Sequence, residues 1–319
     1  MINDGERGYE MPYAIGVDLG GTNIKVAVVS EDGKILDQST CETWDDSTVS
    51  WAETIKQKIK EIENDRREPA RWIGLAAPGL AARDNRSIVN MPGKLHGLEG
   101  LNWTDFLQTS HPVPVLNDAH AALLGEVWVG SASGYRNAVL LTLGTGVGGA
   151  ILAEGRLFKG HIGRAGHLGH VSLNPDGPLD IVGTPGSLEQ TIGNSTLGFR
   201  SGGRFTSTRK LVEAHLAGDA EATDIWLRSV HNLAAGITSI INALDPEVII
   251  LGGGVAQAGP ALFDPLAGFM ERIEWRPQGH RVQIIPAALG DLAGTLGAAY
   301  YAMNCAMKFL PSLSGDGSV

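Results

Sequence analysis

The sequence has little cysteine and no surplus of basic residues. Among its 319 residues there are two cysteines, Cys41 and Cys305, too few for a disulfide framework or a cysteine zinc site, and they fit a reducing cytoplasm. Acidic residues outnumber basic ones by 35 to 25, giving a formal net charge of −10. This argues against nucleic acid as a partner, because phosphate backbones are bound by Lys and Arg.

Long apolar runs are also missing. The most apolar long stretch, residues 138–152, is interrupted by Thr and Gly and is short for a membrane span, so no membrane segment is expected. The first residues, MINDGERGYE, lack a basic start and an apolar core, so no signal peptide is expected. The sequence therefore predicts a cytoplasmic protein.

Glycine, in contrast, is abundant. The chain has 43 glycines, about twice the ~7% of average usage. Many of them lie in three clusters, at residues 144–149, 160–169 and 252–254. This clustering indicates particular turns and not a flexible low-complexity tract.

The first informative stretch is residues 13–36, YAIGVDLGGTNIKVAVVSEDGKIL, which is typical of a β-hairpin. Gly20 and Gly21 at the turn would let backbone N–H groups approach a phosphate, and the Thr22 hydroxyl adds a donor. Asp18 could hold the Mg²⁺ of a nucleotide, most simply through water. Taken alone, the glycine pair favours a hairpin that binds nothing.

The rest of the first half alternates between predicted helix and strand. A helical spacing covers residues 49–62, buried strands cover 72–77 and 113–116, and another helix covers 119–127. Between the strands lies an irregular segment, 84–103, of a length that is usually functional or mobile. The second strand delivers Asn117 and Asp118 onto the start of a helix, and we place the domain boundary here.

The second half repeats the opening pattern. A strand at 137–143 enters the turn Gly144–Gly149, and a strand at 150–153 follows. Helices are predicted from residue 209 and through 225–244, a strand at 247–251 enters Gly252, Gly253 and Gly254, and 293–303 reads as a closing helix. Two related hairpins in one chain favour the phosphate interpretation over an unoccupied turn.

Five motifs in this order, DLGGTNIK, LNDAHAALLGE, LTLGTGVGGAI, GHLGHV and IILGGG, resemble the ROK family of sugar kinases and sugar-responsive repressors. The resemblance implies an α/β fold of two actin-like (ribonuclease H-like) domains that hold ATP and sugar in a cleft. These would be residues 12–117 and 118–292, with residues 293–310 as a closing helix packing on the first domain. It also implies a homodimer. The repressor branch carries a helix-turn-helix, for which the dozen residues before the first strand leave no room.

The resemblance also implies roles for single residues. Asp118 matches the family's catalytic base. An Asp at this position can also be a helix N-cap. Asn117 would contact a sugar hydroxyl. The nucleotide-binding positions are Asp18, Gly20, Gly21, Thr22, Gly144, Thr145, Gly146, Gly148, Gly252, Gly253 and Gly254. Lys25 could touch phosphate or be a solvated strand-edge residue.

The chain departs from the family pattern in its sugar and zinc segments. Where family kinases have Glu-x-Gly-His, this chain has His167 and His170, and the three cysteines of the zinc segment are replaced by Asp180, Val182 and Ser187. One His and one Asp would make a poor tetrahedral zinc site, so no structural zinc is expected. His167 either alters sugar preference or contacts nothing reactive. The expected sugar-binding set is Gly79, Asn90, Asn117, Asp118, His167, His170 and Glu189.

Together these observations predict an ATP- and Mg²⁺-dependent kinase that phosphorylates a hexose or N-acetylhexosamine, at the 6-hydroxyl. Asp118 would take the proton, since phosphoryl transfer asks of the protein mainly positioning, a base and charge stabilisation. Two alternatives stay open: a sugar-binding regulatory protein without catalysis, and a kinase of a cyclitol. The sequence does not choose among glucose, mannose and their N-acetylamino relatives, or between ATP and another phosphoryl donor.

Overall fold

The computed structural model describes residues 12–91 and 93–309, without the side chains of 306–309. The first ten residues, on which the signal-peptide expectation rests, and residue 310 of the expected closing helix lie outside this range. The chain divides into two compact units. Unit 1 takes the residues up to Gly125 and those from Gly294 onward, and unit 2 is Glu126–Ala293.

Unit 1 is a five-stranded sheet with helices. Its strands have the order β3-β2-β1-β4-β7, and a two-stranded ribbon, β5-β6, stands apart. The strands are β1 (Tyr13–Leu19), β2 (Asn23–Ser30), β3 (Ile35–Glu42), β4 (Trp72–Ala77), β5 (Leu80–Ala81), β6 (Ile88–Asn90) and β7 (Val115–Asn117). The helices are α1 (Ser50–Arg66), α2 (Trp103–Leu107) and α3 (Asp118–Val129), which runs on into unit 2.

The core of unit 1 forms because β4, and β1 up to Val17, are apolar while α1 is apolar on one face. Trp51 and Ile55 of α1 are fully buried with Ile15 of β1 and Leu75 of β4. Nearly continuous apolar strands are typical of a sheet that is covered on both faces. Trp103 of α2 is also buried and contacts the Trp51 ring, with 5.9 Å between ring centroids.

The last helix of the chain covers unit 1's sheet where two glycines lie side by side. This helix is α9 (Ala293–Phe309), and Gly16 of β1 is paired in register with Gly74 of β4. A Cβ added at Gly16 would lie 1.9 Å from the Thr295 carbonyl oxygen, and one at Gly74 would lie 2.1 Å from that of Ala298. The helix backbone therefore rests directly on the strand backbone.

Unit 2 repeats the sheet arrangement of unit 1. Its strand order is β10-β9-β8-β11-β12, in which β9 and β10 are antiparallel and β11 and β12 parallel to their neighbours. The strands are β8 (Ala138–Leu143), β9 (Val147–Ala153), β10 (Arg156–Leu157), β11 (Val248–Gly252) and β12 (Gln283–Pro286). The helices are α4 (Leu188–Ile192), α5 (Leu197–Arg200), α6 (Thr208–Leu216), α7 (Ala220–Leu244) and α8 (Pro260–Ile273). The expectation of two related hairpin-led sheets is confirmed.

Some elements differ from the sequence prediction. The helix expected at 49–62 continues to Arg66, and the strand expected at 113–116 is Val115–Asn117. Several elements were missed, among them β3, α8 and β12 and the short elements β5, β6, β10, α2, α4 and α5. β3 is solvent-exposed along its length and lacks apolar alternation, while α8 carries Pro265 in its interior, a residue that normally argues against helix.

The division into units also differs from the expected boundary after residue 117. The first eight residues of α3 lie in unit 1, because this helix meets α9 at close range. A Cβ added at Gly297 would lie 1.7 Å from the Ala121 carbonyl oxygen. None of the helices in the described ranges is both long and apolar enough to cross a membrane.

Candidate active site

Three strand ends of unit 1 bring the first group of predicted residues to one sheet edge. β1, β4 and β7 are parallel neighbours, so their carboxyl ends face the same way. Asp18 lies opposite Ala76, and Ala77 lies opposite Asn117, so the three ends are level. With strands ~4.8 Å apart, Asp18 and Asp118 are separated laterally by roughly 10 Å, enough for a transferring phosphoryl group and its acceptor.

Asp118 is the first residue of α3, and its side chain is exposed to solvent. Its carboxylate Oδ1 accepts a hydrogen bond from the Ala119 N–H at 2.8 Å. Desolvation by the surrounding protein raises the pKa of the Asp118 carboxyl, although hydrogen bonds from Ala119 and Asn117 oppose the shift. A carboxylate that solvent reaches and whose pKa is raised is a better proton acceptor than an ordinary Asp.

Asn117, by contrast, is buried and largely committed to the fold. Its Oδ1 accepts from the backbone N–H groups of Ala119 at 3.0 Å and His120 at 3.3 Å, which is the N-cap arrangement. Its Nδ2 donates to the Gly79 carbonyl at 3.0 Å. The side chain that caps α3 is therefore that of Asn117, which leaves the neighbouring carboxylate of Asp118 exposed.

The first glycine turn is anchored through its carbonyl groups. The Gly20 N–H donates to the Asn23 carbonyl at 2.9 Å, while Thr43 donates from Oγ1 to the Gly20 carbonyl and from its N–H to that of Thr22, both at 2.8 Å. Within the described part of the chain the N–H groups of Gly21 and Thr22 donate to no acceptor. Both residues are exposed, so these donors are available to an anion.

Asp18 and Lys25 face each other across the hairpin. They are cross-strand partners of β1 and β2, where opposite charges are neighbours. A Cβ added at Gly294, in the first turn of α9, would lie 2.8 Å from Asp18 Oδ2, so the carboxylate stands at the positive end of that helix. Both side chains are only partly exposed. Each therefore has a neighbour within the protein: Lys25 and the start of α9 for Asp18, and Asp18 for Lys25.

Gly79 and Asn90 lie together at the same edge. Gly79 has a φ of +97°, which favours glycine, and a Cβ there would lie 2.5 Å from the Asn90 carbonyl oxygen. Asn90 ends β6 opposite Leu80 of β5, and its side chain is exposed. The β5-β6 ribbon therefore fixes these two expected sugar-binding positions beside each other.

The second glycine turn, in unit 2, is anchored in the same way as the first. The Gly144 N–H donates to the Gly146 carbonyl, and the carbonyls of Gly144 and Thr145 accept from the N–H groups of Asn194 and Ser195, all at 2.9 Å. Thr145 is exposed. Both turns thus have carbonyl groups held in hydrogen bonds within the protein.

The third glycine turn lies directly beside the second. Gly252 ends β11 opposite Thr142 of β8. Gly253 follows with a φ of +82°, and a Cβ there would lie 2.4 Å from the Leu143 carbonyl oxygen. That same carbonyl accepts the Val255 N–H at 2.9 Å. The expected phosphate-side and adenosine-side turns, including exposed Gly254, are therefore at one edge of the unit 2 sheet.

The histidine loop and Glu189 both contact the start of β9. Glu189, buried at the first turn of α4, accepts the Val147 N–H at 2.9 Å through Oε2, and a Cβ added at Gly146 would lie 2.3 Å from that oxygen. A Cβ added at Gly169 would lie 1.9 Å from the Val147 carbonyl oxygen. Glu189 and the loop are therefore packed against the turn that follows Gly144.

The two histidines of this loop have different surroundings. Burial lowers the pKa of His167, and the charges of His170 and Arg164 lower it further, so His167 is held neutral. His170 is bonded through Nδ1 to Asp180 Oδ2 at 2.8 Å. The structure thus gives His170 a defined partner, which the sequence comparison with the zinc segment did not anticipate.

Zinc does not fit the residues at the family's zinc positions. The positions hold His170, Asp180, Val182 and Ser187, in which no thiolate is present and one member is apolar, whereas structural zinc takes four Cys or His ligands. Across the described residues no group of three or more His, Cys, Asp or Glu side chains could hold a metal ion.

Sequence reasoning missed two residues that hold the site elements in place. Thr43 anchors the first turn through the carbonyl groups of Gly20 and Thr22. Glu126 is fully buried and accepts from the N–H groups of Ser131, Ala288 and Leu289, so it fixes the segment that precedes α9. The available signal was a glutamate at the end of the largely apolar motif LNDAHAALLGE. A Glu in such a setting needs hydrogen-bond partners, because Glu is seldom fully buried without them.

A cavity of about 410 Å³ opens in unit 2. Its lining includes Gln190 of α4, Arg200 and Asn232. None of the expected nucleotide- or sugar-binding residues lines it, although Gln190 adjoins Glu189. Each guanidinium nitrogen of Arg200 already donates within the protein, to Thr196, Ser229 or Gly193.

Known proteins resemble this chain over nearly its whole length. A glucokinase of Thermotoga maritima is 34% identical over 305 residues, covering 89% of this chain and 95% of its own. An N-acetylmannosamine kinase of Vibrio cholerae is 31% identical over 294 residues, covering 90% and 98%. A crystal structure of a ROK family glucokinase from Streptomyces griseus in complex with glucose and AMPPNP matches with a TM-score of 0.76, at 28% identity, covering 92% and 99%.

The sequence pattern of the ROK family matches residues 14–304 of this chain. This range includes all three glycine turns, Asp118 and the histidine loop. The resemblance noted from the five motifs is confirmed, as is the expected two-domain, actin-like α/β fold. This chain belongs to the ROK family.

Proposed function

We propose that this chain, a sugar kinase of the ROK family, transfers the γ-phosphoryl group of ATP to the 6-hydroxyl of a hexose or N-acetylhexosamine, with Asp118 as general base. One observation carries the proposal. An exposed carboxylate of raised pKa stands at the N-terminus of α3, level with the first glycine turn on the same sheet edge.

The roles follow from what phosphoryl transfer requires. The reaction needs an acceptor in line with the γ-phosphate, a carboxylate to take its proton, and donors and Mg²⁺ on the phosphate oxygens. Bound Mg²⁺ neutralises developing charge on those oxygens. Asp18 would hold it through water, since Mg²⁺ keeps several waters, and the N–H groups of the two glycine turns would hold the phosphates.

We assign sugar binding to the residues that the family resemblance implies, with a modified role for Asn117. Because its Oδ1 caps α3 and its Nδ2 bonds the Gly79 carbonyl, Asn117 supports the proposal chiefly as the residue that orients Asp118. The proposed sugar contacts are Gly79, Asn90, Asp118, His167, His170 and Glu189, with Asn117 beside them.

The relatives favour a sugar as the phosphoryl acceptor, and this sugar could be either a hexose or an N-acetylhexosamine. One relative is a glucokinase and another an N-acetylmannosamine kinase, at similar identity to this chain. His167 is the position at which this chain differs from the family's Glu. A neutral imidazole donates through one nitrogen and accepts through the other, whereas a carboxylate only accepts, so His167 would change which hydroxyl pattern is preferred.

The test measures ATP consumption against a panel of aldohexoses, N-acetylhexosamines and cyclitols. We expect turnover of at least one sugar, lost when EDTA removes Mg²⁺ and absent with its 6-deoxy analogue. Asp118→Asn should lower kcat by about 10²–10⁴-fold, while the matched control Asp65→Asn, an exposed carboxylate on α1, should leave it unchanged. Turnover of a 6-deoxy sugar would contradict the 6-hydroxyl assignment.

The two alternatives predict different results in the same assay. A sugar-binding regulatory protein would bind a panel member in calorimetry without consuming ATP, and a cyclitol kinase would turn over a cyclitol and no sugar. A homodimer, which the family implies, would appear in light scattering at twice the 33.6 kDa chain mass. Cytoplasmic location is proposed from the low cysteine content.

A further inference from the structure

The loop that replaces the zinc segment is closed by one buried carboxylate. Asp180 Oδ1 accepts the N–H groups of Val182 at 3.0 Å and Thr184 at 2.9 Å. The Asp180 N–H in turn donates to the Thr184 carbonyl at 2.9 Å. These three bonds define a tight turn over residues 180–184 that needs no metal, because the carboxylate takes the central position.

The second oxygen of the same carboxylate reaches His170. Oδ2 lies 2.8 Å from His170 Nδ1, and the Asp180 side chain is fully buried, with an exposed fraction of 0% against 23% for His170. The Ser187 hydroxyl is buried as well. It makes no hydrogen bond of normal geometry in the described part of the chain, but it lies near enough to Asp180 to favour its charged form.

Asp180 is ionised in this setting. Burial opposes ionisation, but the hydrogen bonds from His170, Thr184 and Val182 outweigh it and hold the pKa of Asp180 below its ordinary value. An ionised carboxylate is acceptor-only, so His170 must carry a proton on Nδ1. In the neutral ring Nε2 is then an acceptor, able to receive a hydroxyl proton.

We propose that Asp180 is a positioning residue that replaces the zinc ion of the family: it closes the 180–184 turn and fixes the orientation and tautomer of His170 for sugar binding. The sugar-binding half of this inference rests on the proposed function. Carboxylates that orient a metal-bound histidine typically cost 10- to 100-fold in affinity or activity when mutated, and we expect an effect of this size for Asp180.

The sharpest variant is Asp180→Asn, which keeps size and shape. Its amide oxygen can still accept the Val182 and Thr184 N–H groups, but its NH₂ group would face His170 Nδ1 as a donor. His170 must then accept at Nδ1 and carry its proton on Nε2. Asp176→Asn is the matched control, because Asp176 is an exposed carboxylate in the same loop.

Histidine ¹⁵N NMR reads this tautomer without any assay of activity. One of the nine histidines should change from the Nδ1–H to the Nε2–H form in Asp180→Asn, at the resonance that His170→Gln removes, and none should change in Asp176→Asn. An unchanged tautomer would overturn the proposal. This readout stands even if no sugar is turned over, in which case the proposed function fails and the positioning role does not.

Kinetics and metal content complete the test. Asp180→Asn should raise KM for the sugar by about tenfold or more, with kcat and the KM for ATP changed far less. A variant that melts earlier but binds sugar normally would show a merely structural role and refute positioning. Wild-type protein expressed with zinc should contain far less than one zinc per chain and be insensitive to chelator, and stoichiometric zinc would refute replacement of the metal.

Discussion

Gly169 offers a direct test of whether the histidine loop must lie against β9. An added methyl group would stand 1.9 Å from the Val147 carbonyl oxygen. That atom is backbone, at the start of a paired strand, so it cannot rotate away. To reach the 3.4 Å of ordinary contact, the loop has to move by about 1.5 Å.

The cost of Gly169→Ala follows from this displacement. Overpacking a well-packed site costs about 1–3 kcal/mol, and contact with the backbone carbonyl of a paired strand places this variant near the upper end. For a unit the size of Glu126–Ala293, about 3 kcal/mol lowers Tm by about 6–12 °C. Because a displacement of ~1 Å can cost 10²-fold in rate, kcat/KM for the sugar should fall by about that factor.

The control is Gly198→Ala, on exposed α5, where no heavy atom lies within 4 Å of the added Cβ. Alanine is favoured over glycine in helices by about 1 kcal/mol, so this variant should be as stable as the wild type or more so. Thermal unfolding and steady-state kinetics on both proteins decide the matter. If Gly169→Ala has the same Tm as Gly198→Ala and keeps the wild-type kinetics for the sugar, the loop is not held by this contact.

The remaining predictions concern unit 1. Asn117→Ala should destabilise by about 1–2 kcal/mol through loss of the α3 cap, whereas Asn117→Ser should retain most of it, and equal losses in urea unfolding would contradict the cap. Gly16→Ala, with its methyl group 1.9 Å from the Thr295 carbonyl, should cost about 3 kcal/mol or more, and an unchanged Tm would refute close packing of α9. Because the folded pKa of Asp118 is raised, its ionisation disfavours the fold as pH rises, so Asp118→Asn should melt higher than wild type at pH 7 and lose this advantage toward acid pH. The same raised pKa places the acid limb of kcat/KM above that of an ordinary Asp, and a limb at the usual Asp value would count against Asp118 as the base.

Much of this organisation follows from local sequence pattern. The β4 bounds, the repeated hairpins and the order of the glycine turns are visible because apolar runs and glycine breaks are local signals. The exposed strand β3 and the proline-containing α8 were not visible, since neither has the periodicity of its class. Their existence depends on neighbours that are distant in sequence.

The site divides in the same way. Asp118 was recognised as base or cap, and only the structure decided that the capping side chain is Asn117's. Thr43 and Asp180 could not be found from spacing, because each acts on a partner brought close by folding: Gly20, 23 residues away, and His170, 10 residues away. The sequence shows that the zinc cysteines are absent, but it does not show the hydrogen bonds that Asp180 makes in their place.

The sequence by itself determined the family, the two hairpin-led sheets and which residue types stand at each strand end, because motif order and hydrophobic pattern are properties of the chain alone. The tertiary structure decided which polar groups are left for a ligand and which are consumed by the protein. That distinction depends on distances of about 3 Å between atoms from separate elements, where one hydrogen bond more or less changes a residue's role.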